Sequence, residues 1–144
     1  MTESINIVCP HCLAVNRISA QRLDDHPICG KCKKRLFEAR PLDLNTNAFD
    51  RNLTRNDIPL VVDFWASWCG PCKVMMPAFE QAAGELEPHA RLVRLNTELE
   101  QEIAGRYKIR AIPTMILFKD GKQVQRQSGA MNARQIVDWV RQAT

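Results

Sequence analysis

The cysteines of this 144-residue chain constrain its fold more than any other feature, because all six occur as Cys-x-x-Cys pairs. Four lie in the first quarter of the chain and two near its middle: Cys9, Cys12, Cys29 and Cys32, and then Cys69 and Cys72. Residues 1–36 also carry few large apolar side chains, and so small a segment usually needs a metal or disulfides to fold. We predict a metal-binding module over residues 1–36, a connector over residues 37–46 that runs into a strand, and a larger domain over residues 47–144.

Charge and hydropathy exclude several classes of protein. A net charge of +4 gives no strong indication of nucleic-acid binding. The N-terminus lacks a basic region followed by an apolar stretch, and apolar runs reach only about seven residues, far short of the roughly 20 that span a bilayer. We therefore expect a cytoplasmic monomer with neither a membrane nor a nucleic-acid partner. In such a reducing compartment, paired cysteines are more often metal ligands or redox centres than structural disulfides.

From about residue 47 the apolar pattern alternates between helix and strand. Asn47 is predicted to cap a short first helix, Thr97–Glu100 to form a capping box and Asn132 to cap the last helix. Residues 60–66 are almost continuously apolar, as expected for a central strand buried on both faces. Asp120-Gly121 is a strong hairpin signal. The order is helix, strand, helix, strand, helix, strand, strand, helix, which predicts an α/β fold in which helices flank a mixed sheet.

The pair Cys69 and Cys72 follows this buried strand and opens a helix. Unpaired backbone N–H groups and the helix dipole at that position favour a thiolate at Cys69 and lower its pKa, and the thiolate is the form that attacks a disulfide. Cys72 lies one turn further on, placed to resolve the resulting mixed disulfide. Gly70 permits a tight turn, and Pro71 suits a first helical turn because it has no N–H to lose. The alternatives, a stray cysteine pair or half of a metal site, fit this context poorly.

The segment VVDFWASWCGPCK at residues 61–73 resembles the central strand and active-site motif of the thioredoxin family, and the resemblance covers about residues 42–144. Further family-like positions follow in the expected order: Pro77, Ile112-Pro113-Thr114, Phe118-Lys119-Asp120-Gly121 and Gly129. The resemblance implies a thioredoxin fold, a redox-active disulfide, and a protein-disulfide reductase in which Cys69 attacks and Cys72 resolves. An oxidase or isomerase is the alternative within enzymes.

Asp63 is a carboxylate in an otherwise apolar strand, so its pKa should rise. A carboxyl of that kind is a candidate general base for Cys72, and the family resemblance assigns it this role. A carboxylate at a solvent-accessible strand edge is the alternative. Where the family has a lysine partner for this aspartate, the chain has Arg94, which keeps its charge and deprotonates far less readily.

Ile112-Pro113 resembles the cis-proline loop that faces the dithiol in the family. Exposed backbone at Ile112 would let an extended substrate pair with it by strand addition. The predicted docking surface consists of Trp68, Ile112, Pro113, Gly129 and Ala130. Ser128 stands where the family often has an apolar residue, which would make this surface more polar.

The N-terminal spacing, two Cys-x-x-Cys pairs separated by sixteen residues, indicates a zinc site. Each pair forms a turn that directs two sulfurs inward, and two turns complete a tetrahedron of Cys9, Cys12, Cys29 and Cys32. Iron, which takes the same ligands, or two disulfides are the alternatives. His11 and His26 are expected to lie outside the ligand set because four cysteines saturate a structural zinc.

A zinc-ribbon-like module ahead of a thioredoxin-like domain resembles a zinc-binding branch of the family over the whole chain. This resemblance implies reduction by thioredoxin reductase with NADPH, disulfide-containing protein substrates, and a role under oxidative stress. Oxidation of metal-bound thiolates would release the metal. The alternative from a different class is a zinc-gated redox sensor or binding module.

Overall fold

The computed structural model describes residues 3–144, which form a two-stranded hairpin and a five-stranded sheet with helices on both faces. In chain order the elements are β1 (Ser4–Val8), β2 (Val15–Ser19), a 3-10 turn (Ala20–Arg22), β3 (Leu42–Asp43), α1 (Thr46–Arg55), β4 (Leu60–Trp65), α2 (Gly70–Leu86), β5 (Arg91–Asn96), α3 (Gln101–Arg106), β6 (Thr114–Lys119), β7 (Lys122–Ser128) and α4 (Ala133–Gln142). The predicted order of helices and strands is confirmed from α1 onward.

The large sheet is mixed, as predicted, with strand order β3-β5-β4-β6-β7. β3 and β4 run parallel to β5, whereas β6 is antiparallel to both β4 and β7. The edge strand β3 falls inside the predicted connector, where Leu42 pairs with Val93 and Asp43 with Arg94. The connector therefore contributes a strand to the sheet, while the division of the chain at residues 36 and 46 stays a prediction.

Each face of the sheet is covered by its own hydrophobic core, because alternate residues of a strand point to opposite faces. On one face, Val61 of β4 packs with residues of α2 and α4. On the other face, Val62 and Phe64 pack with residues of α1 and α3. Asp63 has the parity of Val61, so it points from β4 toward the face covered by α2.

Two of the predicted helix starts are wrong. The N-cap of α1 is Asn45, not Asn47, and its Oδ1 accepts a hydrogen bond from the Ala48 N–H at 2.8 Å. Glu100 forms no capping box for α3, because its carboxylate accepts from the Thr46 N–H at 2.7 Å instead. The partner of Glu100 is thus the first residue of α1, an element far away in the chain, which a local capping pattern does not reveal.

The other local predictions are confirmed. Asn132 caps α4 in a capping box with Gln135. Asp120 and Gly121 have φ values of 53° and 78° and join β6 to β7, as a two-residue hairpin turn requires.

The N-terminal module packs against the larger domain through the free edge of β1. The Asp57 N–H donates to the Asn6 carbonyl at 2.9 Å, and the Val8 N–H donates to Asn56 Oδ1 at 2.8 Å. Ile58 of the larger domain is buried in the core of the module, together with Ile7, Leu23 and Leu36. The small apolar content of residues 1–36 is thus supplemented by a residue from outside them.

Candidate active site and metal centre

The dithiol lies where β4 ends and α2 begins. Cys69 is the N-cap of α2, and its Sγ accepts a hydrogen bond from the Cys72 N–H at 3.2 Å. Gly70 and Pro71 occupy the first turn, where the missing N–H of proline breaks no helical hydrogen bond. A sulfur at this position lies at the positive end of the helix dipole and accepts a hydrogen bond from a backbone N–H, and both interactions stabilise a thiolate.

Cys69 and Cys72 are joined in a disulfide, with their Cα atoms 5.3 Å apart. In this oxidised form Cys69 is 4% exposed and Cys72 2% exposed, so neighbouring side chains cover nearly all of both. Trp68, directly before the pair, is 69% exposed. The site is therefore a covered disulfide bordered by a large apolar side chain that faces solvent.

The loop before β6 lies against this disulfide. The Ile112–Pro113 peptide bond is cis, and the Ile112 carbonyl oxygen is 3.7 Å from Cys69 Sγ. The Gly129 N–H donates to the Pro113 carbonyl at 2.9 Å, with Gly129 at a φ of 98° that favours glycine. Ser128 Oγ lies 2.9 Å from Thr114 Oγ1, so its hydroxyl is hydrogen-bonded to β6.

The structure brings together Ile112, Pro113 and Gly129 of the predicted docking surface. Gly129 and Ala130 are exposed, Ile112 is half-buried and Pro113 is buried. Val74, in the first turns of α2, is an exposed apolar side chain that the sequence analysis did not single out, with 75% of it accessible. Its position out of phase with the buried Cys72, Met75 and Phe79 was the available signal.

Asp63 is 1% exposed on the α2 side of β4. Burial raises the pKa of its carboxyl to about 7, and the positive charge of Arg94 partly offsets that rise. Among the described residues, Asp63 Oδ1 has no hydrogen-bond partner. A carboxyl that titrates near neutral pH in a buried position has the protonation behaviour of a general base or acid.

Arg94 is the direct neighbour of Asp63 across the β4–β5 pair. Its guanidinium nevertheless donates to groups of α2, the Met76 carbonyl at 3.1 Å and Glu80 Oε1 at 3.4 Å. Asp63 and Arg94 therefore lie side by side without a direct hydrogen bond between them.

The four N-terminal cysteine sulfurs all lie within 4.8 Å of one another. The distance from Cys9 Sγ to Cys32 Sγ is 3.6 Å, and that from Cys12 Sγ to Cys29 Sγ is 3.7 Å. A tetrahedral zinc with bonds of about 2.3 Å has sulfur–sulfur edges of ~3.8 Å. The donor set and its spacing therefore fit zinc.

Two similar turns arrange these sulfurs. The Leu13 N–H donates to the Cys9 carbonyl at 3.1 Å, and the Lys33 N–H donates to the Cys29 carbonyl at 2.9 Å. Leu13 and Lys33 each have positive φ, at 63° and 69°. The left-handed backbone position therefore comes one residue after each Cys-x-x-Cys pair.

N–H donors surround Cys29 in particular. The Cys32 N–H lies 3.5 Å from Cys29 Sγ and the Asn16 amide 3.4 Å from it, and these donors lower the pKa of Cys29 to about 5. Burial has the opposite effect on Cys9 and raises its pKa to about 12. A bound divalent cation would supply the charge that keeps all four sulfurs deprotonated. Asn16, which sequence reasoning missed, carries no signal in the cysteine pattern.

The histidines of the module are not among the clustered ligands in the described part of the chain. His11 Nε2 lies 2.8 Å from Glu38 Oε1, and His26 lines a surface cleft. Across residues 3–144, no helix combines the length and the apolar character needed to cross a bilayer.

Comparison with known proteins matches both halves of this architecture. The sequence model described as "Thioredoxin" matches residues 40–142. The chain belongs to the thioredoxin family. A second model, described as the N-terminal part of thioredoxin 2, matches residues 8–34, which contain all four clustered cysteines. The expected likeness to zinc-binding thioredoxin 2 is thereby confirmed.

Individual relatives agree with this assignment. Thioredoxin C-3 of Corynebacterium nephridii is 36% identical over 136 residues, covering 94% of this chain and 93% of the relative. The thioredoxin of Rickettsia bellii is 33% identical over 98 residues, covering 68% of this chain and 93% of its own length. The chain is a thioredoxin-type disulfide oxidoreductase, as predicted.

Solved structures show the same fold. A chloroplastic thioredoxin z superposes with a TM-score of 0.67 at 26% identity, over 72% of this chain and 94% of that structure. A thioredoxin variant from Halobacterium salinarum superposes with a TM-score of 0.67 at 29% identity, over 75% and 94%. The predicted thioredoxin fold is confirmed.

Proposed function

We propose that this thioredoxin-type protein reduces disulfides in other proteins through a mixed disulfide at Cys69. The observation that carries the proposal is the hydrogen bond from the Cys72 N–H to Cys69 Sγ at the N-terminus of α2. That donor and the helix dipole stabilise the thiolate that attacks a substrate disulfide. Reduction then uses the two electrons of the dithiol and leaves the Cys69–Cys72 disulfide.

The cycle has two exchange steps. In the first, the Cys69 thiolate bonds to one substrate sulfur and the substrate's other sulfur leaves as a thiolate. In the second, Cys72 loses its proton, bonds to Cys69 Sγ and displaces the remaining substrate thiolate. Because Cys72 is tethered one turn from Cys69, the second step proceeds at high effective concentration.

Asp63 is the proposed acceptor of the Cys72 proton. It points toward the helix that carries Cys72, and burial raises its pKa to about 7, so near neutral pH it can both take up and release a proton. The transfer occurs directly or through one water molecule. Asp63 is thus a base for resolution and an acid when the disulfide is reduced again.

Substrates are proposed to dock beside Cys69 on Trp68, Ile112, Pro113, Gly129 and Ala130. The Ile112 carbonyl lies 3.7 Å from Cys69 Sγ, so an extended substrate segment that pairs with this backbone brings its own sulfur close. Pro113, being buried, shapes the loop more than it offers surface.

The electron donor is proposed to be thioredoxin reductase, which draws electrons from NADPH. Membership of the thioredoxin family supports this donor, and a reductant must reopen the Cys69–Cys72 disulfide after each turnover. The reducing setting this requires favours a cytoplasmic location, and we propose that the chain acts as a monomer.

The module formed by Cys9, Cys12, Cys29 and Cys32 is proposed to hold one zinc ion. Zinc supplies folding energy by linking the two turns, as in other small modules. We also propose that oxidation of its thiolates by peroxide releases the metal and alters activity under oxidative stress. The alternative function, a zinc-gated redox sensor or binding module, draws support from the contact of the module with β5, since Arg91 donates to the carbonyl beside Cys9.

Turnover with thioredoxin reductase separates the two functions. The purified protein, limiting NADPH-linked reductase and excess insulin should give many cycles of NADPH oxidation per molecule, with Cys69→Ser giving none. A single stoichiometric burst for the unaltered protein would instead support the sensor.

A further inference from the structure

On the sheet face covered by α2, the buried side chains of Asp63 and Arg94 lie side by side, but Arg94 makes its hydrogen bonds to α2 and not to Asp63. Asp63 and Arg94 are register partners on β4 and β5. Arg94 Nη2 donates to the Met76 carbonyl at 3.1 Å and to Glu80 Oε1 at 3.4 Å. Met76 and Glu80 lie four residues apart on α2, so together they present two acceptors on one side of the helix.

We propose that Glu80 is a positioning residue for Asp63: its carboxylate holds the Arg94 guanidinium toward α2 and thereby limits how strongly Arg94 stabilises the Asp63 carboxylate. The proposal rests on the proposed function, in which Asp63 exchanges a proton with Cys72. It adds a residue of α2 that contacts neither the dithiol nor Asp63 through a hydrogen bond in the described structure.

Two unpartnered atoms mark this arrangement. Among residues 3–144, Asp63 Oδ1 and Arg94 Nε are both buried without a hydrogen-bond partner. An acceptor and a donor that belong to neighbouring residues would satisfy each other if the guanidinium turned toward β4. The contacts to Met76 and Glu80 favour the other orientation, so Glu80 competes with Asp63 for the same cation.

Arg94 is the charged group that acts on Asp63 within the described structure. On β6 the register partner of Asp63 is Met115, which carries no charge. The neighbouring buried positions of α2 are Cys72, held in the disulfide, and Met75. The side chain of Arg94 is 10% exposed and that of Glu80 is 58% exposed. Through Arg94, the exposed carboxylate of Glu80 can therefore affect the pKa of the buried Asp63 carboxyl.

A functional consequence follows from the proton transfer. A general base works best when it titrates near the working pH, and an arginine free to pair with Asp63 would lower its pKa. By keeping the Arg94 guanidinium on α2, Glu80 would prevent it from pairing with Asp63 and so keep the pKa of Asp63 near neutral pH. Without Glu80, the acidic limb of the pH profile for resolution should move to lower pH.

The test uses Glu80→Gln in the full-length protein, with Glu80→Asp as the conservative variant and Glu85→Gln as the matched control. Glu85 is an exposed glutamate of the same helix, so its removal changes the net charge equally. The readouts are the carboxyl ¹³C NMR titration of Asp63 in the oxidised protein and the pH profile of substrate-thiol release from the mixed disulfide. We expect Glu80→Gln to lower the Asp63 midpoint by about half a pH unit, with Glu85→Gln near zero and Glu80→Asp close to the unaltered protein.

Repeating the Glu80 substitution in an Arg94→Met protein distinguishes positioning through Arg94 from a direct effect of the Glu80 charge on Asp63. In Arg94→Met, Glu80→Gln should no longer move the midpoint, because the cation through which it acts is gone. An Asp63 midpoint unmoved by Glu80→Gln, or moved equally with and without Arg94, would overturn the proposal. If the midpoint moves as expected while the resolution profile stays fixed, the positioning role stands and the proton-transfer role of Asp63 is the part contradicted.

Discussion

The guanidinium of Arg91 donates a hydrogen bond to the Val8 carbonyl at 3.1 Å, and this contact joins the thioredoxin domain to the residue before Cys9 of the four-cysteine cluster. Arg91 is 1% exposed, lies 4.3 Å from the centre of the Phe37 ring and has the Glu87 carboxylate 4.0 Å away. A buried cation is therefore shared between the two modules. It is the first residue of β5, the strand that also carries Arg94.

Replacing Arg91 by Met should destabilise the protein by about 2–4 kcal/mol, because it leaves the buried Glu87 carboxylate without its cation and the Val8 carbonyl without its donor. Urea unfolding at pH 8 measures the loss. The matched control is Arg106→Met, which removes an arginine paired with Asp50 at the surface and should lose no more than about 1 kcal/mol. Equal losses in the two variants would contradict the role given to Arg91.

Stability should depend on pH through Asp63. Burial raises its pKa to about 7 from an ordinary value of 3.8, so the native state binds the proton more tightly than the unfolded state. The stabilisation associated with the protonated form is complete below pH 4 and is lost as pH rises through 7. Asp63→Asn, which stays neutral, should be more stable than the unaltered protein by about 2–4 kcal/mol at pH 8 and by little at pH 4. Urea midpoints at both pH values test this, and a constant difference would contradict it.

The two active-site cysteines should fail in different ways. Cys69→Ser removes the attacking sulfur and should abolish reduction. Cys72→Ser keeps the attack and removes resolution, so it should accumulate mixed disulfides with substrate proteins, detectable by non-reducing electrophoresis and mass spectrometry. Trapping by Cys69→Ser rather than by Cys72→Ser would reverse the assigned roles.

Loss of one zinc ligand should affect the N-terminal module far more than the dithiol. With zinc bound as proposed, Cys12→Ser should lose the metal and disorder the N-terminal module, because small metal modules take much of their folding energy from the bound ion. More than about half of the basal insulin reduction should remain, since the dithiol lies on separate elements of the fold. Metal analysis, hydrogen exchange and turnover measure the three effects. Complete loss of activity would show that the modules work as one unit.

Peroxide should release zinc and change activity together, if oxidation of the four thiolates tunes the enzyme. The measurement follows zinc with a chromogenic chelator, counts thiols and assays insulin reduction on the same sample over time. Cys12→Ser serves as the control because its site is already disrupted. Zinc release without any change in activity would defeat the stress-tuning proposal and leave the metal structural.

Residues with strong local preferences were predictable. The sequence around Cys69 and Cys72 specified a buried strand followed by a helix start, Asp120-Gly121 specified a hairpin and Asn132 specified a helix cap, because each signal acts within a few residues. Asn45 and Glu100 show the limit of this reasoning. Their hydrogen-bond partners depend on how β3 and α1 pack against the loop before α3. A pattern along the chain does not reveal that packing.

By itself, the sequence determined the two cysteine sites, since Cys-x-x-Cys spacing at a turn or a helix start dictates how neighbouring sulfurs are presented. Only the tertiary structure decided which distant groups surround them. It placed Ile112 beside Cys69, Arg94 beside Asp63 but turned toward Glu80, and Arg91 against the four-cysteine module. The physical reason is that burial and charge pairing depend on strand order and sheet face, which arise when the whole chain packs and not within any one segment.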